Sequence, residues 1–419
     1  MLQPIADGVA YLMAQSGESL LRLFWFVAIF EFPRYTLSFL SVAAIGFYRR
    51  LEQQPHSGRV SVLIAGHNEE DSIERCVFAL WEQSRRPDEI IAVSDGSADR
   101  MPEKLRALQD AGLITEGHST QVRSGKSAAI NLALSRATGD VVVVVDCDCT
   151  FDRHAIRNIL DPLADPRVGA VAGNIVVRNA SRNLITAFQG IEYLISISQG
   201  KQASDLTDQV SCISGAFGAF RRKALSGVGG YDAGGGEDLD VTLSLRKAGW
   251  KTSFAPDAIC YTDVPEKLGV LVRQRFRWER DAVHLRYRKH SELINPFSPR
   301  FSLRELAHQI DFLVFNLGSA VFFPIYIVWL IVTFGELGLI ILLGAQAGML
   351  LLDALAFALA ALVTPRVNSV GLIPYVPGYS FFNGFLMRFV RLGAYLEEWI
   401  LAASYRDTYV PQKVHRARR

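Results

Sequence analysis

Residues 311–334 and 337–363 form two long, almost uninterrupted apolar runs, parted only by Gly335-Glu336. Lipid hydrocarbon offers the backbone no hydrogen-bond partner, so an open chain crosses it as helices, each of about 20 apolar residues. The two runs are long enough and read as a membrane hairpin. Residues 19–48 are a third candidate span, interrupted by Glu31, Pro33 and Arg34, so its crossing is expected to begin late or to kink. It has no basic n-region and is too long for a cleaved signal peptide. Residues 369–405 carry Pro374, Pro377, Arg388, Arg391, Glu397 and Glu398. A charge at mid-bilayer costs roughly 2.5–3.5 kcal/mol, so partly interfacial helices are expected there; the alternative is a span with its charges turned inward.

Arg49 and Arg50 follow the first run, and the tail reads "QKVHRARR". The positive-inside rule puts both on the cytoplasmic side. The expectation is a multi-pass protein of the inner (plasma) membrane, with one span before and two after a cytoplasmic middle region. The boundaries read as 1–50 for the N-terminal transmembrane segment, 51–300 for the middle domain, and 301–419 for a C-terminal membrane domain with interfacial helices and a basic tail. A net charge of only +2 over 419 residues gives no reason to expect nucleic acid as a partner. The five cysteines include no C-x-x-C pair, which disfavours a disulfide framework or a structural zinc site and suits a reducing compartment.

In the middle domain, "VSVLIAG" (60–66), "EIIAVSDGS" (89–97) and "GDVVVVVDCD" (139–148) read as buried strands. Helices are expected over 70–84 and 101–111. Apolar strands alternating with helices imply a parallel sheet covered on both faces. Ligands bind such sheets in the crevice beyond the carboxyl ends of the strands. The three strands end in His67-Asn68-Glu69, Asp95-Gly96-Ser97 and Asp146-Cys147-Asp148. Alternation along a strand points Asp146 and Asp148 the same way and Cys147 and Cys149 the other. Two carboxylates on one face make a hard oxygen site for Mg²⁺ or Mn²⁺ shared with phosphate oxygens. By itself D-x-D also fits a solvated strand end.

Asn68-Glu69, Asp95-Gly96-Ser97, Gly125-Lys126, Asp146-x-Asp148, "SGAFGAFRR" (214–222), Glu237-Asp238 and "QRFRW" (274–278) follow one another in this order. The set resembles the processive family 2 glycosyltransferases: cellulose, chitin and hyaluronan synthases, the rhizobial chitooligosaccharide synthase and the bacterial poly-N-acetylglucosamine synthases. The resemblance spans roughly residues 58–290, and Q-x-x-R-W after E-D is its most specific element. It implies a GT-A fold, an α/β Rossmann-like nucleotide half joined to an acceptor half, flanked by transmembrane helices.

The resemblance also implies roles. Glu69, Asp95, Lys126, Asp146 and Arg277 would bind the nucleotide sugar, and Asp148 with Asp146 would ligate the metal. Asp238 would be the general base that deprotonates the acceptor hydroxyl. Ser214, Gly215, Glu237, Gln274 and Trp278 would line the acceptor, with Trp278 stacking on a sugar ring. Local alternatives stay open: an Asx turn for Asp95, a helix N-cap for Asn68, helix-start acids for Glu237, Asp238 and Asp240, an amphipathic interfacial helix for the QRFRW segment, and a plain buried strand for "GAFGAF". The chain departs from the family in Ser94 beside Asp95, where two acids are common, and in Gly66, where many relatives have proline.

The expected function is inverting, processive transfer from UDP-N-acetylglucosamine or UDP-glucose to a growing polysaccharide or oligosaccharide, coupled to export. Three or four spans are few to enclose a sugar-wide channel, so a homo-oligomer, a membrane or export partner, or a short product is expected. A polyprenyl-phosphate glycosyltransferase adding one sugar to a lipid carrier, or a non-catalytic component binding sugar nucleotide or polymer, are the alternatives.

Overall fold

The computed structural model describes residues 8, 10–47, 57–364 and 366–406. Arg49, Arg50 and the basic tail, on which the topology expectation rests, lie outside these residues. The middle of the chain is built on eight strands: β1 (Val60–Gly66), β2 (Glu89–Asp95), β3 (Glu116–Thr120), β4 (Val141–Asp146), β5 (Thr150–Phe151), β6 (Val168–Val177), β7 (Phe217–Arg221) and β8 (Lys251–Thr262). They form one sheet in the order β3-β2-β1-β4-β7-β6-β8-β5.

β3, β2, β1 and β4 run parallel, as expected for β1, β2 and β4; β3 is not among the expected strands. The sheet as a whole is mixed, which corrects the all-parallel expectation: β7 pairs antiparallel with both β4 and β6. The inversion matters for the site. Phe217 pairs with Val145, so the chain just before β7, including Ser214 and Gly215, arrives at the edge where β4 ends. Ala65 pairs with Asp146 and Gly66 with Ser94, so β1, β2 and β4 end level on that edge.

Val141–Val145 are at most 1 % exposed. Val141, Val143 and Val145 pack among Cys76, Leu80 and Ile156 on one face; Val142 and Val144 pack among Ile130, Phe220 and Phe254 on the other. Burying a side chain of this size contributes about 1.5–3 kcal/mol against an extended chain. Phe217–Phe220 of "GAFGAF" form buried β7, while Gly215 and Ala216, with Ser214 before them, lie in the turn ahead of it. The expected helices appear as Ile73–Trp81 and Met101–Asp110. The five cysteines are unpaired.

Leu303–Phe334 and Glu336–Val363 are helices long and apolar enough to cross a membrane. The N-terminal run differs from expectation. It breaks into Gly17–Leu23 and Val27–Ile45, bent by 86°, and the bend precedes Glu31 instead of falling at Glu31–Arg34. Glu31 stays helical because its charge is met: it is 2 % exposed and ion-paired to Arg388. Residues 376–401 run as one continuous helical stretch. Its charges face protein: Glu398 accepts from Arg288 at 3.0 Å and Ser404 N–H at 2.8 Å, and Arg391 lies 3.3 Å from Glu279. The charges turn inward as in the alternative, but among the described residues this stretch is not one of the helices long and apolar enough to cross a membrane.

Removing one member of a buried pair strands the other charge, at a cost of roughly 3–5 kcal/mol. Arg388→Met should therefore lower the melting temperature of the detergent-purified protein sharply, and Glu31→Gln/Arg388→Met should recover most of the loss. Equal melting points for single and double variants would show that the pair is not the link between the N- and C-terminal helices.

Candidate active site

β2 ends on Asp95, which is 4 % exposed. Its carboxylate accepts the backbone N–H of Ser124 at 2.7 Å and of Gly125 at 2.6 Å, and the Thr120 hydroxyl at 3.4 Å. Two oxygens thus anchor the loop between β3 and the helix Lys126–Arg136. Gly96 makes the close approach possible: its φ is +62°, and a Cβ there would stand 2.3 Å from Arg123 N. Asn68, at φ 60°, ties β1 to the same turn. Its side-chain oxygen accepts from Ala98 N–H at 2.8 Å and its own N–H donates to Ser97 Oγ at 3.0 Å. Asn68 is not the helix N-cap that its sequence context allowed; Ser72 holds that position.

The anchored loop leads through Gly125, at φ 96°, into Lys126 at the start of its helix. Lys126 Nζ lies 2.6 Å from Asp146 Oδ1 and 3.4 Å from Glu237 Oε1. Around it opens a cleft of about 380 Å³ whose charged walls are Glu69, Asp95, Arg123, Lys126, Asp146, Asp148 and Glu237. Burial pushes Asp146 up to about 6; Lys126 opposes the rise, and Asp148 and Glu237 add to it. Burial also raises Glu69, reinforced by Asp148. Crowded carboxylates that resist ionisation form a pocket of negative potential that a cation relieves.

Among the described residues no three His, Cys, Asp or Glu side chains converge to hold an ion unaided. Asp146 and Asp148 are hard oxygen donors at the cleft wall, and that set suits a divalent ion completed by phosphate oxygens. Asp148 follows the end of β4, and two residues hold it that sequence reasoning missed. Thr262 donates to Asp148 Oδ2 at 3.2 Å, and Arg178 donates to the Asp148 carbonyl at 3.1 Å. Cys147 and Cys149 are buried as expected, although Cys147 and Asp148 form a turn beyond the end of β4.

The antiparallel approach to β7 brings Gly215 over this cluster. A Cβ on Gly215 would lie 2.9 Å from Lys126 Nζ, 3.7 Å from Asp238 Cβ and 3.7 Å from Glu237 Oε1. The Gly215 N–H donates to Asp238 Oδ2 at 3.4 Å, and Leu239 N–H donates to Oδ1 at 2.8 Å. Asp238 stands in the first turn of helix Glu237–Lys247, entered through Gly236 in the left-handed region. Ser214 Oγ accepts from Lys201 at 2.5 Å. Lys201, only 5 % exposed, is another residue that "SQGKQASD" gave no local reason to single out.

"QRFRW" lies on the helix Leu268–His284, which packs along Met387–Leu401. Gln274, Arg277 and Trp278 are outside the cleft lining. The helix reaches the site through Asp281, whose Oδ2 would be 2.5 Å from a Cβ on Gly235, just before Glu237. Arg275 is buried, paired to Glu192 at 2.7 Å and stacked 4.4 Å from the Trp278 ring centre. Trp278 is 39 % exposed, and the buried Oε1 of Gln274 has no hydrogen-bond partner among the described residues.

Residues 61–229 match the family model "Glycosyl transferase family 2". The chain is 28% identical over 347 residues to an N-acetylglucosaminyltransferase of Azorhizobium caulinodans, covering 78% of this chain and 84% of that protein. It is 33% identical over 224 residues to poly-beta-1,6-N-acetyl-D-glucosamine synthases of Staphylococcus aureus; that match covers 52% of this chain, which spans about half the length of those synthases (53%). A mannosyltransferase from Pyrobaculum calidifontis, solved in complex with GDP-Man and Mn²⁺, superposes with a TM-score of 0.59 at 21% identity, covering 87% of this chain and 99% of that one. At that identity the likeness is one of fold.

The Asp95-anchored loop predicts a graded response to added Cβ atoms. Gly96→Ala meets both positive φ and the Arg123 backbone, whereas Gly112→Ala, at φ +69°, meets open space. Gly112→Ala should cost about 1–2 kcal/mol, and Gly96→Ala clearly more, read as melting temperatures of the two variants. Equal shifts would remove the close approach as the reason for glycine at 96.

Proposed function

Starting from a chain that is a glycosyltransferase of GT-A fold carrying a family 2 domain, we propose that it is a membrane-embedded, inverting β-glycosyltransferase that extends a polysaccharide or oligosaccharide from a UDP-sugar. The observation that carries this reading is Gly215. Its missing side chain leaves a small space bordered by Lys126 Nζ, Glu237 Oε1 and Asp238 Cβ, with Lys126 paired to Asp146 and Asp238 itself outside the cleft lining; on this reading a phosphate-binding group and a candidate base flank one reacting position. The named activities of the Azorhizobium and Staphylococcus relatives favour UDP-N-acetylglucosamine as donor, with UDP-glucose second.

In this mechanism Asp95 and Glu69 border the nucleoside, and Asp95 also keeps the loop ahead of Lys126 in place. Lys126, at a helix N-terminus, offsets charge on the diphosphate. Asp146 and Asp148 would hold Mg²⁺ or Mn²⁺, which when bound supplies Lewis-acid stabilisation of the departing diphosphate. Asp238 accepts the proton of the acceptor hydroxyl as that oxygen attacks the anomeric carbon, opposite the leaving group. Its two backbone hydrogen bonds, from Leu239 and Gly215, aim the carboxylate. Ser214, Gly215 and Glu237 border the acceptor, and Gln274, Arg277 and Trp278 act from the adjoining helix.

Residues 51–300 are read as the cytoplasmic catalytic domain, with 1–50 and 301–419 anchoring it in the plasma membrane as a multi-pass protein. Export of a long product calls for a second copy or a membrane partner.

Membranes containing the protein, given radiolabelled UDP-sugars with Mn²⁺ or Mg²⁺, should yield a ladder of products. One sugar per lipid would instead point to a polyprenyl-phosphate acceptor, and no transfer from any UDP-sugar would defeat the proposal. Asp238→Asn should lower kcat by about 10²–10⁴-fold, the range of general base catalysis, with UDP affinity kept; loss of UDP binding would contradict the base assignment. Asp148→Ala should abolish the part of UDP affinity that depends on added Mn²⁺, and metal-dependent affinity that survives would count against Asp148 as ligand.

A further inference from the structure

The helical stretch Leu184–Glu192, Tyr193–Gln199 and Gly200–Asp205 delivers one lysine into the interior. Lys201 is the buried lysine among the described residues. An ammonium taken out of water is costly unless partners meet it. Burial pushes Lys201 down, while Cys212 and Asp238 hold it up. Its Nζ donates to Ser214 Oγ at 2.5 Å. Because the Ser214 oxygen accepts there, its own proton stays available for donation.

The loop that carries Ser214 is pinned from the other side by the helix Glu237–Lys247. Ile213 N–H donates to Thr242 Oγ1 at 2.9 Å, and the Thr242 hydroxyl donates to the Asp238 carbonyl at 2.6 Å. One residue beyond Ser214, the Gly215 N–H reaches the Asp238 carboxylate at 3.4 Å. That bond is long: N–H···O bonds centre near 2.9–3.0 Å. A shift of a few tenths of an ångström in the Ser214–Gly215 peptide decides whether it is made. Lys201 is outside the cleft lining, and its hydrogen-bonded route to Asp238 runs through this peptide.

We propose that Lys201 is a positioning residue for glycosyl transfer: through Ser214 it sets the loop whose Gly215 amide orients the Asp238 carboxylate. The proposal rests on the reading of Asp238 as general base. Lys201 adds no ligand to the donor site; it makes the base's geometry depend on a side chain from a different helix.

Full-length protein in detergent, assayed with UDP-N-acetylglucosamine or the UDP-sugar selected by the donor screen, tests this with Lys201→Met, Ser214→Ala and the double variant. Lys201→Met keeps the length of the side chain and removes its charge. It should lower kcat about tenfold at unchanged KM and unchanged UDP affinity, the pattern of an interaction that matters in the transition state. Ser214→Ala should lose a similar factor, and the double variant should lose no more than the worse single, because both break one link. Losses that multiply in the double variant overturn the proposal, as does a fall in UDP affinity matching the fall in kcat. If Lys201→Met does not accumulate as folded protein, Lys201→Gln takes its place, and a kcat within twofold of the parent overturns the link. Asp238→Asn run alongside separates the two readings. Transfer surviving in it sinks the base assignment, whereas an inactive Asp238→Asn with an unimpaired Lys201→Met sinks only the positioning role.

Discussion

Everything at this site depends on how β4 is buried. Val141–Val145 are sealed on both faces, with parallel β1 on one side and antiparallel β7 on the other. A strand held so tightly cannot slip by one residue without turning every side chain to the wrong face. Its end is therefore a fixed point, and Asp146 and Asp148 inherit that fixity. The antiparallel neighbour delivers a loop to the same edge. Without the inversion at β7, Gly215 would not lie over Lys126, and Asp238 would lose one of its two backbone donors.

The charge balance follows from that geometry. One lysine sits among Asp146, Glu237 and, further off, Asp148 and Glu69. Burial and repulsion raise Asp146 and Glu69, and the cleft walls carry more carboxylates than cations before any ligand arrives. A diphosphate alone would add to the repulsion; a diphosphate brought with a divalent cation relieves it. On the proposed reading, the same electrostatics favour binding donor and metal together. The N- and C-terminal helices solve a related problem by pairing, as Glu31 does with Arg388, and there the ions join one helix to another.

Some of this was legible in the chain and some was not, and the division has a physical basis. The strands β1, β2 and β4 were visible because buried parallel strands are continuously apolar and end abruptly in polar residues. The two C-terminal apolar helices were visible because length and hydropathy alone define them. The helix 376–401 was not: its charges look unaffordable in lipid until their partners, Glu31 and Arg288 among them, are brought in from distant parts of the chain. Arg275 shows the same limit, since it reads as a surface charge in "QRFRW" yet is buried between Glu192 and Trp278.

The sequence by itself determined which residue types could do chemistry here and their order, brought in Lys126 through the resemblance, and put Asp95 and Asp146 at strand ends on one edge of the sheet. Local patterns encode this, because strand burial and turn chemistry are short-range properties. Only the tertiary structure decided that Asp95 spends two oxygens on the loop ahead of Lys126, that Gly215 bridges the lysine to Asp238, and that Lys201 stands behind Ser214. Those contacts join segments that approach only when β7 inverts against β4, and an antiparallel insertion leaves no local mark on the residues it brings together.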